Sequence, residues 1–119
     1  MFAGELAKTL GLELMREEMA QWEMTVQGCY IGDLLSNVMG FARSGQLWYT
    51  VMTNINVVAV AHLAELAGVV FLEGHQPDES VIERALLESI PLFQTTLPAY
   101  ESALVFDKAG LEQAGFERT

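Results

Sequence analysis

Apolar runs alternate with short polar breaks along residues 47–74, LWYTVMTNINVVAVAHLAELAGVVFLEG. Residues 47–52 are short, apolar and rich in aromatic or β-branched side chains, the pattern of a strand buried on both faces. The polar stretch 53–56 ends in Asn56, a residue type that caps helices. Residues 57–67 are long enough for a helix, and Gly68 stands where one would stop. A second buried strand follows at 69–72, closed by Glu73 and Gly74. The segment reads as one β-α-β unit, whose two parallel strands need such a crossover.

The same rhythm extends in both directions. Upstream, Leu6 and Leu10 mark an amphipathic helix over Ala3–Leu10, ended by Gly11, and 12–15 suits a small strand. Residues 16–20 form a charged connection. Trp22, Met24 and Val26 alternate with Glu23, Thr25 and Gln27, which predicts a strand with one wet face. Residues 28–32 read as a loop, and Asp33 as the cap of a helix reaching Ala42. Downstream, Pro77 marks a helix start with Asp78 and Glu79 at its positive end. Val81, Ile82, Ala85 and Leu86 form one stripe along 79–89. Residues 92–95 read as a strand, 98–109 as a helix ended by Gly110, and 111–119 as a loose tail.

Units beginning near residues 47, 69 and 91 recur about every 22 residues, the length of a strand, a turn and a helix. The LxxLxLxxN pattern of leucine-rich repeats is absent. The expected fold is α/β: a single three-layer domain over 1–119, with a mostly parallel central sheet built from consecutive β-α units. Its core spans 22–110, with an N-terminal helix and small strand within 3–15. The early strands are expected to add an antiparallel edge.

Two helices lack an ordinary polar face. Residues 57–67 carry only His62 and Glu65 as polar side chains, and 33–42 has no charge between Asp33 and its end. Such helices must be covered on more than one face. Either the N-terminal segment folds over them or a second subunit does. The second alternative makes Val57, Val58, Val60, Ala61 and Ala64 a dimer interface.

Composition narrows the chemistry. The chain has 119 residues, 51% of them hydrophobic, so one domain with a sizeable core is expected. No apolar run reaches the roughly 18–20 residues of a membrane span, and the N-terminus lacks the basic start of a signal peptide. A cytoplasmic protein with no membrane association is expected. Sixteen Asp and Glu against six Lys and Arg give a net charge of −10, which disfavours nucleic acid and anionic lipid surfaces. The one cysteine, Cys29, excludes an internal disulfide and a CxxC site, and reads as a small core residue.

Catalytic motifs are absent. After Gly40–Gly45, the phosphate-loop lysine is replaced by Gln46. Ser36, Ser44, Ser80, Ser89 and Ser102 have no Gly-x-Ser-x-Gly setting. His62 reads as a buried or interface histidine. His75 and Glu73 are too few for a closed metal site. No enzyme activity, cofactor or metal is expected. Parallel sheets bind ligands beyond the C-terminal strand ends. Those ends carry Thr53, Asn54, Asn56, Glu73, Gly74, Thr95 and Thr96, with the N–H groups at the start of the 57–67 helix available to an anion. The same residues also serve as turn formers and caps.

The segments GDLLSNVM (32–39), TNINVVAVAHLAELAGVV (53–70), EGHQPDE (73–79) and the IP–TT–AYE pattern (90–101) resemble DRTGG-type domains, above all the small stand-alone DRTGG-like proteins of anaerobic bacteria and archaea. The resemblance covers roughly 24–109. It implies an α/β domain similar to the N-terminal domain of HPr kinase/phosphorylase. Related domains are regulatory or assembly modules in some CBS-domain pyrophosphatases and phosphotransacetylases. The Asp-Arg part of the motif falls near 54–57, where neither residue occurs. The Thr-Gly-Gly part falls on 72–74, where Gly74 alone survives. The function expected is a non-catalytic regulatory or assembly domain, acting as a homodimer or as partner of a larger enzyme. The alternative is a sensor of a nucleotide or anionic metabolite at the strand ends.

Overall fold

The computed structural model describes residues 1–116. Five strands form one sheet in the order β1-β5-β4-β3-β2. They are β1 (Glu13–Leu14), β2 (Cys29–Ile31), β3 (Leu47–Thr50), β4 (Gly68–Phe71) and β5 (Leu92–Gln94). β2 to β5 are parallel, and β1 adds an antiparallel edge with Glu13 opposite Gln94. The α/β class and the mostly parallel sheet are as the sequence predicts.

The helices are α1 (Ala3–Leu10), α2 (Leu35–Phe41), α3 (Asn56–Leu63), α4 (Glu79–Glu88) and α5 (Ala99–Lys108). Because the parallel strands stand in chain order, each crossover of one hand returns on the same side of the sheet. Accordingly α2, α3 and α4 pack on one face, against Trp48, Val69, Phe71 and Leu92. α1 and α5 cover the other, against Leu47, Tyr49, Val70 and Phe93. Successive residues of β3 and β4 point into opposite layers and every one is buried. That explains why these strands read as unbroken apolar runs.

Several details depart from the sequence reading. The 22–26 stretch alternates in burial, with Met24 buried, but pairs only through an isolated bridge between Phe2 and Glu23. It packs beside the chain start, where Met24 N donates to Met1 O at 2.7 Å. The strand lies instead at 29–31, inside the predicted loop. Asp33 caps no helix. Its Oδ1 accepts from Thr50 Oγ1 at 2.8 Å and Val51 N at 2.9 Å, tying β2 to the end of β3. The cap of α4 is Asp78, one residue after Pro77, and it accepts from Val81 N. That bond and one from the Ser80 hydroxyl hold the Asp78 carboxyl below its ordinary pKa, the hydroxyl contributing most. His62 is exposed, 3.3 Å from Glu88.

Of the two helices without a polar face, α3 is covered within the chain. Val57, Val58 and Ala61 are fully buried and Val60 is 8% exposed, so the four cannot serve as a surface for a second subunit. α3 is the middle helix of its layer and touches α2 on one flank and α4 on the other. The N-terminal helix does not cover it either, since α1 lies on the opposite face. α2 is the helix left open: it buries Val38 alone. Leu34, Met39 and Phe41 are exposed, Phe41 by 70%.

The tail is tied down over 111–116, and 117–119 lie outside the described residues. Gln113 Oε1 accepts from Cys29 N at 2.7 Å and its Nε2 donates to Cys29 O at 3.1 Å. One side-chain amide thus satisfies the outer edge of β2 as a neighbouring strand would. Ala114 N donates to Gln27 O at 2.7 Å beside it.

Candidate functional site

The loops after β4 and β5 are hydrogen-bonded together. Gly74 N donates to Thr95 O at 2.9 Å and Glu73 N to Leu97 O at 3.1 Å. Thr95 Oγ1 accepts from Leu97 N at 3.2 Å, an ST turn that holds the second loop. Glu73 and Gly74 are both left-handed, with φ of 58° and 74°. This tight reversal turns the backbone away from the sheet.

Beyond these loops lies a cavity of about 380 Å³ lined by Gly11, Glu13, Gly74, Gln76, Gln94, Thr95 and Thr96. Three chain regions meet there: the end of α1 with β1, the loop after β4, and β5 with its loop. Its size is at the low end of small-molecule sites, about 300–1,000 Å³. The walls are mostly uncharged hydrogen-bonding groups, and Glu13 is the one charged lining residue. Gln94 lies opposite Glu13 in the β1–β5 pair, so both side chains leave the same face of the sheet. Gln94 Oε1 is buried and finds no hydrogen-bond partner among the described residues.

Of the seven expected ligand residues, Gly74, Thr95 and Thr96 line this cavity, while Thr53, Asn54, Asn56 and Glu73 do not. The strand order explains the split. A crevice across the whole sheet requires the order to reverse between neighbours. Here β2 to β5 run in one direction, so the β3 end forms its own turn. Asn54 makes that turn: its Oδ1 accepts from Asn56 N at 2.9 Å and its carbonyl from Val57 N at 3.1 Å. The Asn56 and Val57 N–H groups at that helix start are thereby occupied. The sequence reading missed Gly11, Glu13, Gln76 and Gln94. The antiparallel edge expected from 12–15 was the one available signal, since it brings Glu13 beside β5.

Cys29 lies in a second, more apolar cavity of about 280 Å³ with Ala103, Phe106, Asp107, Gln113 and Phe116. Burial raises the pKa of its thiol, which disfavours a thiolate nucleophile. Among the described residues, no group of three or more His, Cys, Asp or Glu is placed to hold a metal ion. No helix among them is long and apolar enough to cross a membrane.

The fold and cavity define a small three-layer α/β domain with a sequentially ordered parallel sheet, an antiparallel edge and a ligand-sized hollow at one end of the strands. No protein-family model and no curated protein matches the sequence. Among solved structures, the chain is similar to the crystal structure of the CBS and DRTGG domains of the regulatory region of Clostridium perfringens pyrophosphatase, complexed with its activator, diadenosine tetraphosphate. The TM-score is 0.67 at 15% identity, over 91% of this chain and 46% of that one. The chain therefore spans less than half the length of that structure. The likeness establishes a DRTGG/CBS-like fold.

Proposed function

We propose that this chain is a non-catalytic regulatory domain that senses a small ligand in the cavity beyond β4 and β5. The observation that carries the reading is the meeting of three separate chain regions around one polar hollow of about 380 Å³. The similar pyrophosphatase region is regulatory and was crystallised with a nucleotide activator, which makes nucleotides and related metabolites the first ligands to test. Glu13 alone among the lining residues is ionisable, too little for an acid, a base and a nucleophile together. A resemblance to the N-terminal domain of HPr kinase/phosphorylase is part of the same proposal and rests on sequence pattern alone. A cytoplasmic setting belongs to the same proposal.

A thermal-shift screen of nucleotides, nucleosides and phosphorylated metabolites tests the reading. A ligand at a hundredfold its dissociation constant adds about 2.7 kcal/mol of stability. Thr96→Tyr, at the exposed rim, is expected to abolish the shift, whereas Asn54→Ala leaves it in place. A shift indifferent to Thr96→Tyr places the ligand elsewhere. Incubation with ATP and magnesium is expected to give no turnover.

A second reading, assembly, is favoured by the outer surface of α2. Met39 and Phe41 are exposed there on a helix without charge, and Leu34 is exposed just before its start. This surface replaces the inner residues of α3 as the contact for a homodimer or a larger enzyme. Light scattering at tens of micromolar is expected to give a dimer that Phe41→Glu dissociates. A monomeric intact chain removes the homodimer.

A further inference from the structure

Resting on the sensing reading, we infer that the cavity recognises an uncharged donor–acceptor edge of the kind a nucleobase carries, and not a phosphate group. Phosphate sites are built from Arg or Lys side chains or from open N–H groups at a helix start. This cavity has neither. No lysine, arginine or histidine lines it, and Glu13 contributes the only charge. Arg16 is held by Glu79 instead, and that bond chiefly raises its pKa. The first turn of α4, which follows the β4 loop, is already served by Asp78. A phosphate there would meet a carboxylate with no cation between them.

Gln94 supplies the positive argument. Its amide presents a donor and an acceptor in one plane, the pairing by which Gln reads the N6/N7 edge of adenine. Its Oε1 is buried without a partner among the described residues. Leaving such an atom unsatisfied costs stability, so an apolar side chain of the same size would serve the fold at least as well. Gln94 shares the cavity wall with Gly11 and Gly74, and the cavity has room at those two positions: a Cβ at either would meet no atom within 4 Å. Two side-chain-free positions and a planar amide suit a flat ring. Thr96 and Gln76, both exposed at the rim, are placed for the polar substituents of that ring.

Calorimetry on the intact chain with adenosine, AMP and inorganic phosphate tests this. Adenosine is expected to bind, AMP no more tightly, and phosphate not at all. Gln94→Leu is expected to weaken adenosine at least tenfold while unfolding at the same or higher denaturant concentration. Thr96→Tyr blocks the mouth without touching the sheet, and serves if Gln94→Leu fails to fold. If AMP or phosphate binds tenfold more tightly than adenosine and Thr96→Tyr abolishes it, the nucleobase assignment falls and the cavity reading stands. If adenosine binds equally well to wild type and both variants, both fall. If none of the three probes gives heat at millimolar concentration, the nucleobase assignment is overturned, and the wider thermal screen decides the cavity reading.

Discussion

Gly68 offers the sharpest test of how this sheet is packed. Its sequence context suggests a helix stop, but in the fold it is the first residue of β4, fully enclosed between β3 and β5. A Cβ there would lie 2.8 Å from the Pro91 carbonyl oxygen, 3.4 Å from Phe93 Cε2 and 3.5 Å from Leu47 Cδ1. The first distance is far inside the ordinary contact range of about 3.5–4 Å, and its partner is backbone that cannot swing aside. The same carbonyl accepts from Val69 N at 3.0 Å, so moving β5 away loosens a ladder bond. Overpacking costs about 1–3 kcal/mol. A weakened backbone bond adds about 0.5–1.5 kcal/mol. The reduced freedom of the unfolded chain returns about 0.4–1 kcal/mol. Gly68→Ala is therefore expected to destabilise by roughly 0.5–4 kcal/mol, centred near about 2 kcal/mol, a fall in Tm on the order of 10 °C at this length. Gly40→Ala is the matched control. Gly40 sits inside α2 with nothing within 4 Å of its would-be Cβ, so the substitution should stabilise by about 0.5–1 kcal/mol. Urea unfolding followed by the fluorescence of Trp22 and Trp48 measures both. The reasoning fails if Gly68→Ala stays within about 0.5 kcal/mol of the parent, or if both variants shift in the same direction.

Three further outcomes are expected. Asp33→Ala removes the acceptor for Thr50 Oγ1 and Val51 N and should cost about 1–3 kcal/mol in the same assay; Asp33→Asn, which keeps an oxygen there, should cost less. Burial raises the pKa of the Tyr49 phenol and of the Cys29 thiol above their ordinary 10.0 and 9.0. The folded chain then holds these protons to higher pH than the unfolded chain, so their contribution is intact below about pH 9 and is lost as pH rises through the raised values. Stability should decline between about pH 9 and pH 11, and Tyr49→Phe should flatten that decline. Finally, Gln113→Ala frees the amide and carbonyl of Cys29, and thiol alkylation at constant pH should accelerate several-fold; an unchanged rate means that the tail does not shield the thiol.

The central β-α-β unit was legible because strands buried on both faces carry their own signature. β2 was not, because its three residues lie between glycines and its outer edge is completed by a glutamine 84 positions away. The alternation at 22–26 is real in burial but reflects packing beside the chain start, and periodicity does not distinguish a ladder from a lining. An all-apolar α3 announces cover on several sides, yet sequence does not say whether a flanking helix or a second subunit provides it. For the site, the loops after β4 and β5 were visible. The contribution of Glu13 and Gln94 was not, because it depends on which strand lies beside which.

The pairing of β1 with β5 joins residues about 80 positions apart, whereas every parallel pair joins strands adjacent in the chain. During synthesis, β2 to β5 can each dock on the strand just made, at the pace of emergence from the ribosome. α1 and β1 are made first and finish last. Until β5 appears, β1 has no strand to pair with, and Leu6 and Leu10 have no Phe93 to pack against. The hollow between Glu13 and Gln94 takes shape only at that closure. A ligand held there would engage only chains in which β5 has been made and paired, so its binding would report that synthesis has passed that strand.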